Sequence, residues 1–284
     1  MILVIGATGN VGRELVRELS AAGQTVRAMT RDPSRAESLR LPGVELAQGD
    51  LARPSSLKTA FKGVERVFLA SPGGPGQVDE QNEAFKRAKK AGAGLLVKLS
   101  AMGVSADSPS QIFRWHAQNE LKLAKSGLPH VILRPNFFMQ NTLGYAATIR
   151  EQGAFYAPLG QGRASQVDVR DIAAAARAIL TGQVHAENEY VLTGPESITA
   201  SRLAEVLSEE LGREVRYIPV TAEAAAASMI RSGTPEWLAR DLPKIMAYWA
   251  ESHNDHVSGD IEQLTGKPPR DFRQFVRENR ATFE

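Results

Sequence analysis

Short apolar runs alternate with amphipathic stretches through the first half of the chain. Residues 1–5 are continuously apolar and stop at a glycine, while residues 11–19 carry apolar side chains at 11, 15, 16 and 19. The first pattern predicts a strand covered on both faces and the second a helix. Further strands are predicted at 25–30, 43–47, 66–70, 95–100 and 131–133, with helices at 77–91 and 112–126. Strands that alternate with helices of ten to fifteen residues are βαβ units. Right-handed crossovers fold such units into an α/β, Rossmann-type, doubly wound parallel sheet.

After residue 136 the rhythm changes. Residues 137–151 read as a helix, 153–162 as a glycine- and proline-rich loop with a short strand, and 169–180 as an alanine-rich helix. A strand at 190–192, a helix at 200–211 capped by Thr199, and a strand at 215–220 follow. The remainder reads as mostly helical, broken at Pro235 and Pro243. The division expected is a dinucleotide-binding domain over 1–150 and a smaller, mostly helical substrate-binding lobe over 151–284. The chain is expected to weave back into the main sheet.

Composition narrows the function. The chain has 284 residues, enough for two domains, and no cysteine, which removes disulfides, thiolate metal sites and cysteine nucleophiles. Its 34 basic and 32 acidic residues leave a net charge of +2, with no run of five or six like charges. Aromatic content is 6%. Neither a basic footprint nor stacking platforms for nucleic acid are therefore expected. No apolar stretch reaches the length of a membrane span, and the N-terminus reads as a strand rather than a signal peptide, so a cytoplasmic protein with no membrane partner is expected.

The chemistry starts at the first turn. Gly6, Ala7, Thr8, Gly9, Asn10, Val11 and Gly12 join the first strand to the first helix. In that setting Gly6 permits a tight turn, Gly9 lets backbone approach a pyrophosphate, and Gly12 packs helix on strand. The helix N-terminus then offers free N–H groups to phosphate. Where an NAD-specific site carries an acid after the second strand, this chain has Arg31, followed by Asp32, Pro33, Ser34 and Arg35. A guanidinium pairs with a 2′-phosphate that a carboxylate would repel, so Arg31, Ser34 and Arg35 point to NADPH. Asp50, with Leu51, either meets the adenine or caps a helix. Ala70 and Ser71 end the fourth strand, where they would pack on the adenosine side. Ser100 ends the fifth strand as a ligand contact or a cap. Lys98, two residues earlier on the same side, must be paired or lie near the cleft.

The strings GATGNVG, TRDPSR, GDLARPSSL, FLASP, VKLSAMG and LRPNFFMQN occur in that order. Together they resemble the NmrA-like group of atypical short-chain dehydrogenases/reductases, over about residues 1–220. The resemblance implies a Rossmann domain and a small lobe with a substrate cleft between them. It also implies one of the activities of that group: NADPH-dependent reduction of quinones, triphenylmethane dyes or azo dyes, or NADP(H) sensing without turnover. In the wider superfamily a Tyr-x-x-x-Lys pair follows the fifth strand. His116 aligns with that tyrosine and Glu120 with that lysine, so the usual dyad is absent. A quinone or conjugated dye accepts hydride with less help from a proton donor than a ketone needs. Orientation would then carry most of the catalysis.

His116 is the candidate proton donor, or else a space-filling histidine beside Trp115. Pro135 and Asn136, by the same resemblance, border the nicotinamide, and Phe137, Phe138 and Met139 offer a wall for a flat aromatic substrate. Asp168, Arg170 and Asp171 read as a tie between the lobes. His253 and His256 read as exposed, with no metal site. A homodimer is compatible with all of this.

Overall fold

The computed structural model describes residues 1–182 and 189–284. Its strands are β1 (Ile2–Ile5), β2 (Val26–Thr30), β3 (Val44–Gln48), β4 (Arg66–Leu69), β5 (Leu95–Leu99), β6 (His130–Pro135), β7 (Ala154–Ala157), β8 (Arg163–Ala164), β9 (Glu189–Leu192), β10 (Ile198–Thr199) and β11 (Arg216–Pro219). The helices are α1 (Asn10–Ala21), α2 (Leu57–Ala60), α3 (Gln77–Ala91), α4 (Gln111–Ser126), α5 (Ala146–Gln152), α6 (Val169–Leu180), α7 (Ala200–Leu211), α8 (Ala222–Arg231), α9 (Glu236–Ala250), α10 (Asp260–Thr265), α11 (Phe272–Glu278) and α12 (Arg280–Phe283).

Seven strands form one parallel sheet in the order β3-β2-β1-β4-β5-β6-β9. The inner strands β1 and β4 read as nearly continuous apolar runs because helices cover both faces, whereas edge strand β3, Val-Glu-Leu-Ala-Gln, does not. Ile2 and Val4 face a core shared with α1, α6 and α10. Leu3 and Ile5, pointing the other way, meet α2, α3 and α4. The order reverses between β1 and β4, and the crevice at that switch point is where a doubly wound sheet binds its ligand.

The second lobe is built around the parallel pair β7 and β11, with α5, α7, α9, α11 and α12 around a separate core that includes Trp249. It is not a continuous appendage. After β7 and β8 the chain returns to lay α6 against α1 and to add β9 beside β6. Arg170 joins α6 to Glu278, and Asp171 pairs with Arg270, so the charged cluster after residue 167 does tie α6 to the C-terminal helices.

Two expected elements differ. Residues 137 and 138 are not helical: Val167 N–H donates to Phe137 O at 2.8 Å and Met139 N–H to Val167 O at 2.9 Å. That bridge commits the backbone before the 3-10 turn Met139–Tyr145 and α5 begin. Pro243 does not end a helix; it is buried inside α9. The segments on either side of it are held independently, by Asp241 to the N-terminus of α4 and by buried Trp249. Pro235 stands at the N-cap of α9.

Candidate active site

The glycines of the first turn are dictated by close approach. Gly6 has φ +80°, and a Cβ there would lie 2.4 Å from Ala70 O. A Cβ on Gly12 would lie 2.1 Å from Gly6 O. Gly9 caps α1 without a side chain, and its N–H donates to Gly6 O at 3.0 Å. Arg13 N–H, bonded to Gly9 O at 2.9 Å, is the first amide with an acceptor inside the helix. The amides of Asn10, Val11 and Gly12 thus belong to the unpaired first turn, which carries no acidic side chain. Thr8 and Asn10 are exposed on this turn, while Val11 is buried beneath it. A tight turn with free amides and a positive helix end fits a diphosphate.

Beyond β2, Arg31 and Arg35 are exposed, and neither guanidinium has a hydrogen bond or ion pair among the described residues. Ser34 donates its hydroxyl to Asp32 Oδ1 at 2.6 Å and its N–H to the same oxygen at 3.0 Å. These bonds hold the Asp32 carboxyl below the usual range. Two guanidinium groups without partners on one short segment suit a phosphate. Asp50 accepts from Ala52 N–H at 3.1 Å and from Arg53 Nε at 3.0 Å, so it caps a turn, with Leu51 buried next to it. Glu80 of α3 belongs to the same neighbourhood: burial raises its carboxyl pKa, the charge of Asp50 adds to that, and Arg31 opposes it. Ser71 accepts from Gln81 Nε2 at 2.8 Å.

A cavity of about 1060 Å³ lies between the ends of β5 and β6 and the second lobe. Ser100, Pro135 and Asn136 line it where the two meet, together with Phe137 and Phe138. Met139 is buried in the lobe core instead. Trp249 of α9 packs on Phe137, ring centroids 5.2 Å apart, and Met246, Ile245 and Leu242 of the same helix extend that wall. Asn136 Oδ1 accepts from Phe137 N–H at 2.8 Å, which fixes it as oxygen; the group donating to it at 3.0 Å is therefore Asn254 Nδ2. Asn254 Oδ1 and Gln166 Oε1 are left buried without a partner, and both residues line the cavity.

Behind Ser100 lies a charged layer. Ser100 donates to Glu120, which is paired with Arg134; Arg134 also holds Glu189 at 2.8 Å. With its hydrogen committed to a carboxylate, Ser100 offers the cavity only lone pairs. Lys98 is fully buried, and its partner is an imidazole rather than an acid: Nζ lies 3.0 Å from His116 Nδ1. Burial lowers Lys98 to about 8, with Glu120 opposing and Arg134 adding. His116 is held well below its ordinary value, first by burial and then by the charge of Lys98. An ammonium only donates, so Nδ1 is the acceptor and the ring proton sits on Nε2. His116 is buried and is not among the residues lining the cavity.

Gly6 to Gly12, Arg31, Ala70, Ser100 and Pro135–Asn136 thus all fall along the C-terminal edge of one sheet. The walls supplied by α8 and α9, and the buried amides of Gln166 and Asn254, had no signal in the sequence. Asn254 stands between two residues that are exposed. His253 and His256 are exposed, and the described residues contain no group of three or more potential metal ligands.

Known proteins resemble this chain in sequence and in fold. The chain is 40% identical over 283 residues, all of its length and 99% of the relative's, to an NAD(P)H azoreductase of Xenophilus azovorans. Its structure matches the NADPH-dependent quinone oxidoreductase of Escherichia coli complexed with NADPH, with a TM-score of 0.88 and 27% identity, covering 98% of this chain and 99% of that one. It also matches the triphenylmethane reductase of a Citrobacter species complexed with NADP(H), with a TM-score of 0.87 and 25% identity, covering 98% and 99%. The sequence profile of the NmrA-like family matches residues 1–276. With the glycine turn, the seven-stranded sheet and the returning β9 all accounted for over that span, the chain belongs to the NmrA-like family.

Proposed function

We propose that this protein is an NADPH-dependent reductase that passes hydride to a quinone, an azo compound or another conjugated acceptor. The observation that carries this reading is the join at Ser100, Pro135 and Asn136. These residues, on the same edge of the sheet as the glycine turn, line a large aromatic-walled cavity. The whole-length similarity to an NAD(P)H azoreductase and the fold shared with NADPH-bound quinone and dye reductases support it.

In this reading the α1 amides and the glycine turn receive the diphosphate, while Arg31 and Arg35 receive the 2′-phosphate, joined by Ser34 once its hydroxyl turns from Asp32. Asp50, Leu51, Ala70 and Ser71 border the adenosine half. Ser100 accepts a hydrogen bond from the nicotinamide half, and Pro135 and Asn136 set its edge. When bound, NADPH supplies hydride from C4 of its reduced ring. The chain contributes orientation: a flat acceptor lies against Phe137 and Phe138, with Leu242, Ile245 and Met246 of α9 beside it. Neither a tyrosine nor a lysine stands where the common dyad would. His116 is a positioning residue that holds Lys98 behind the cavity wall.

The same reading puts the protein in the cytoplasm and takes its partner to be a small conjugated molecule. Every residue named belongs to one chain, so a homodimer is compatible but not required. The test is loss of reduced-nicotinamide absorbance with NADPH and a panel of quinones, azo compounds, dyes and aldehydes. Oxidation with the conjugated acceptors and little with simple aldehydes is expected. Tight NADPH binding without turnover on any acceptor would instead favour a redox sensor.

A further inference from the structure

We infer that the cavity selects acceptors that carry an anionic substituent, and that Arg231 is the residue that receives it. The inference rests on the reductase reading and names the substrate class for the same site. Among the residues lining the cavity there is no aspartate, glutamate, lysine or histidine, and Arg231 is the sole formal charge. Burial pushes the Tyr145 phenol up to about 12, so it adds no negative charge. Glu120, behind Ser100, is tied to Arg134.

Arg231 is the last residue of α8 and is exposed at the cavity mouth. Its guanidinium has no hydrogen bond or ion pair among the described residues. This contrasts with Arg170, Arg273 and Arg277, each bonded to a carboxylate on another segment of the C-terminal region. Ser228, Ser232 and Thr234 line the same side of the cavity and add hydroxyl donors around the cation.

An arginine at a helix C-terminus also complements the helix dipole. That role would be met on any face of α8, and it does not distinguish one acceptor from another. The placement on the cavity does. Low-dielectric apolar walls focus the field of a single cation along the opening. A flat acceptor seated against Phe137 and Phe138 can then extend a carboxylate or sulfonate toward the mouth, where an anion finds a partner and a cationic group is repelled. Charge-assisted bonds to arginine exceed neutral ones in strength.

The test uses the full chain with saturating NADPH and azobenzene congeners differing in one ring substituent: carboxylate, sulfonate, carboxamide or trimethylammonium. We expect kcat/KM for the anionic congeners to exceed that for the carboxamide by about tenfold, mostly through KM, with the trimethylammonium congener slowest. Arg231→Gln should bring the anionic-to-carboxamide ratio close to one, and Arg231→Lys should keep most of it. Unchanged NADPH affinity in Arg231→Gln checks that the fold is intact. A parent enzyme that treats all four congeners alike, or a variant that slows all four in equal proportion, would overturn the inference. If no congener is reduced, the reductase reading falls, and calorimetric binding of the same congeners still decides on Arg231. Tighter binding of the anions that is lost in Arg231→Gln upholds it, and equal binding overturns it.

Discussion

Lys98 is the residue at which burial, charge and function meet. Its folded pKa, about 8, lies below the ordinary 10.5, so folding favours its neutral form. The resulting cost is fully present below pH 8 and fades as pH rises toward 10.5. A shift of that size corresponds to about 3 kcal/mol at neutral pH. Lys98→Met should therefore stabilise the protein at pH 7 by about 1–2 kcal/mol, after subtracting the lost bond to His116. The gain should vanish near pH 10, as followed by urea unfolding at both pH values. His116→Phe tests the neighbouring residue. Because burial and Lys98 keep the ring uncharged at neutral pH, turnover should keep its pH profile near neutrality. Disappearance of a pH-dependent limb in the variant would restore a proton-donor role. At the other end of the crevice, Arg31→Ala should weaken NADPH by about 1.5–3 kcal/mol, roughly ten- to hundredfold, and NADH far less. Fluorescence titration with both coenzymes reads the difference.

At the scale of elements, the predicted helices at 77–91, 169–180 and 200–211 coincide with α3, α6 and α7, Thr199 cap included. Each has an apolar stripe at helical spacing, and α6 and α7 also start on capping side chains, Asp168 and Thr199, so neighbours in sequence sufficed. The elements that departed from expectation were decided by distant partners. Phe137 and Phe138 look helical until Val167 takes their backbone. Pro243 reads as a break, since nothing near it reveals that α9 is fastened elsewhere. The glycine turn and the arginine after β2 were legible because their spacing to a strand is short. Gln166, Asn254 and Arg231 were not, because the fold brings them to the cavity from separate segments.

Two substitutions probe the fastening of elements. Gly12→Ala would drive a methyl into Gly6 O, so loss of NADPH binding with a lowered Tm is expected. Asp241 accepts from Ser110 Oγ, Gln111 N–H and Ile112 N–H at 2.8, 2.8 and 3.0 Å. Asp241→Ala leaves those donors at the start of α4 without their acceptor, and should cost about 2–4 kcal/mol of stability by denaturant unfolding.

For the molecule as a whole, the coenzyme and the second lobe act on one crevice. Among the described residues no helix is long and apolar enough to cross a membrane. A ligand that binds only the folded chain raises its stability, by about 2.7 kcal/mol at a hundred times Kd. A rise in Tm with NADPH, larger than with NADH, is therefore expected in a thermal shift assay.

The return of the chain to supply β9 also sets a rule for dissecting the gene. A fragment stopped at residue 150 would lack both α6 and β9. It would bare the apolar face over Val4 and Val131 and leave β6 as a raw border open to pairing with other copies. The two halves are thus interlaced in a way that forbids cutting them apart at one point, and a fusion or split-protein design has to respect both crossings.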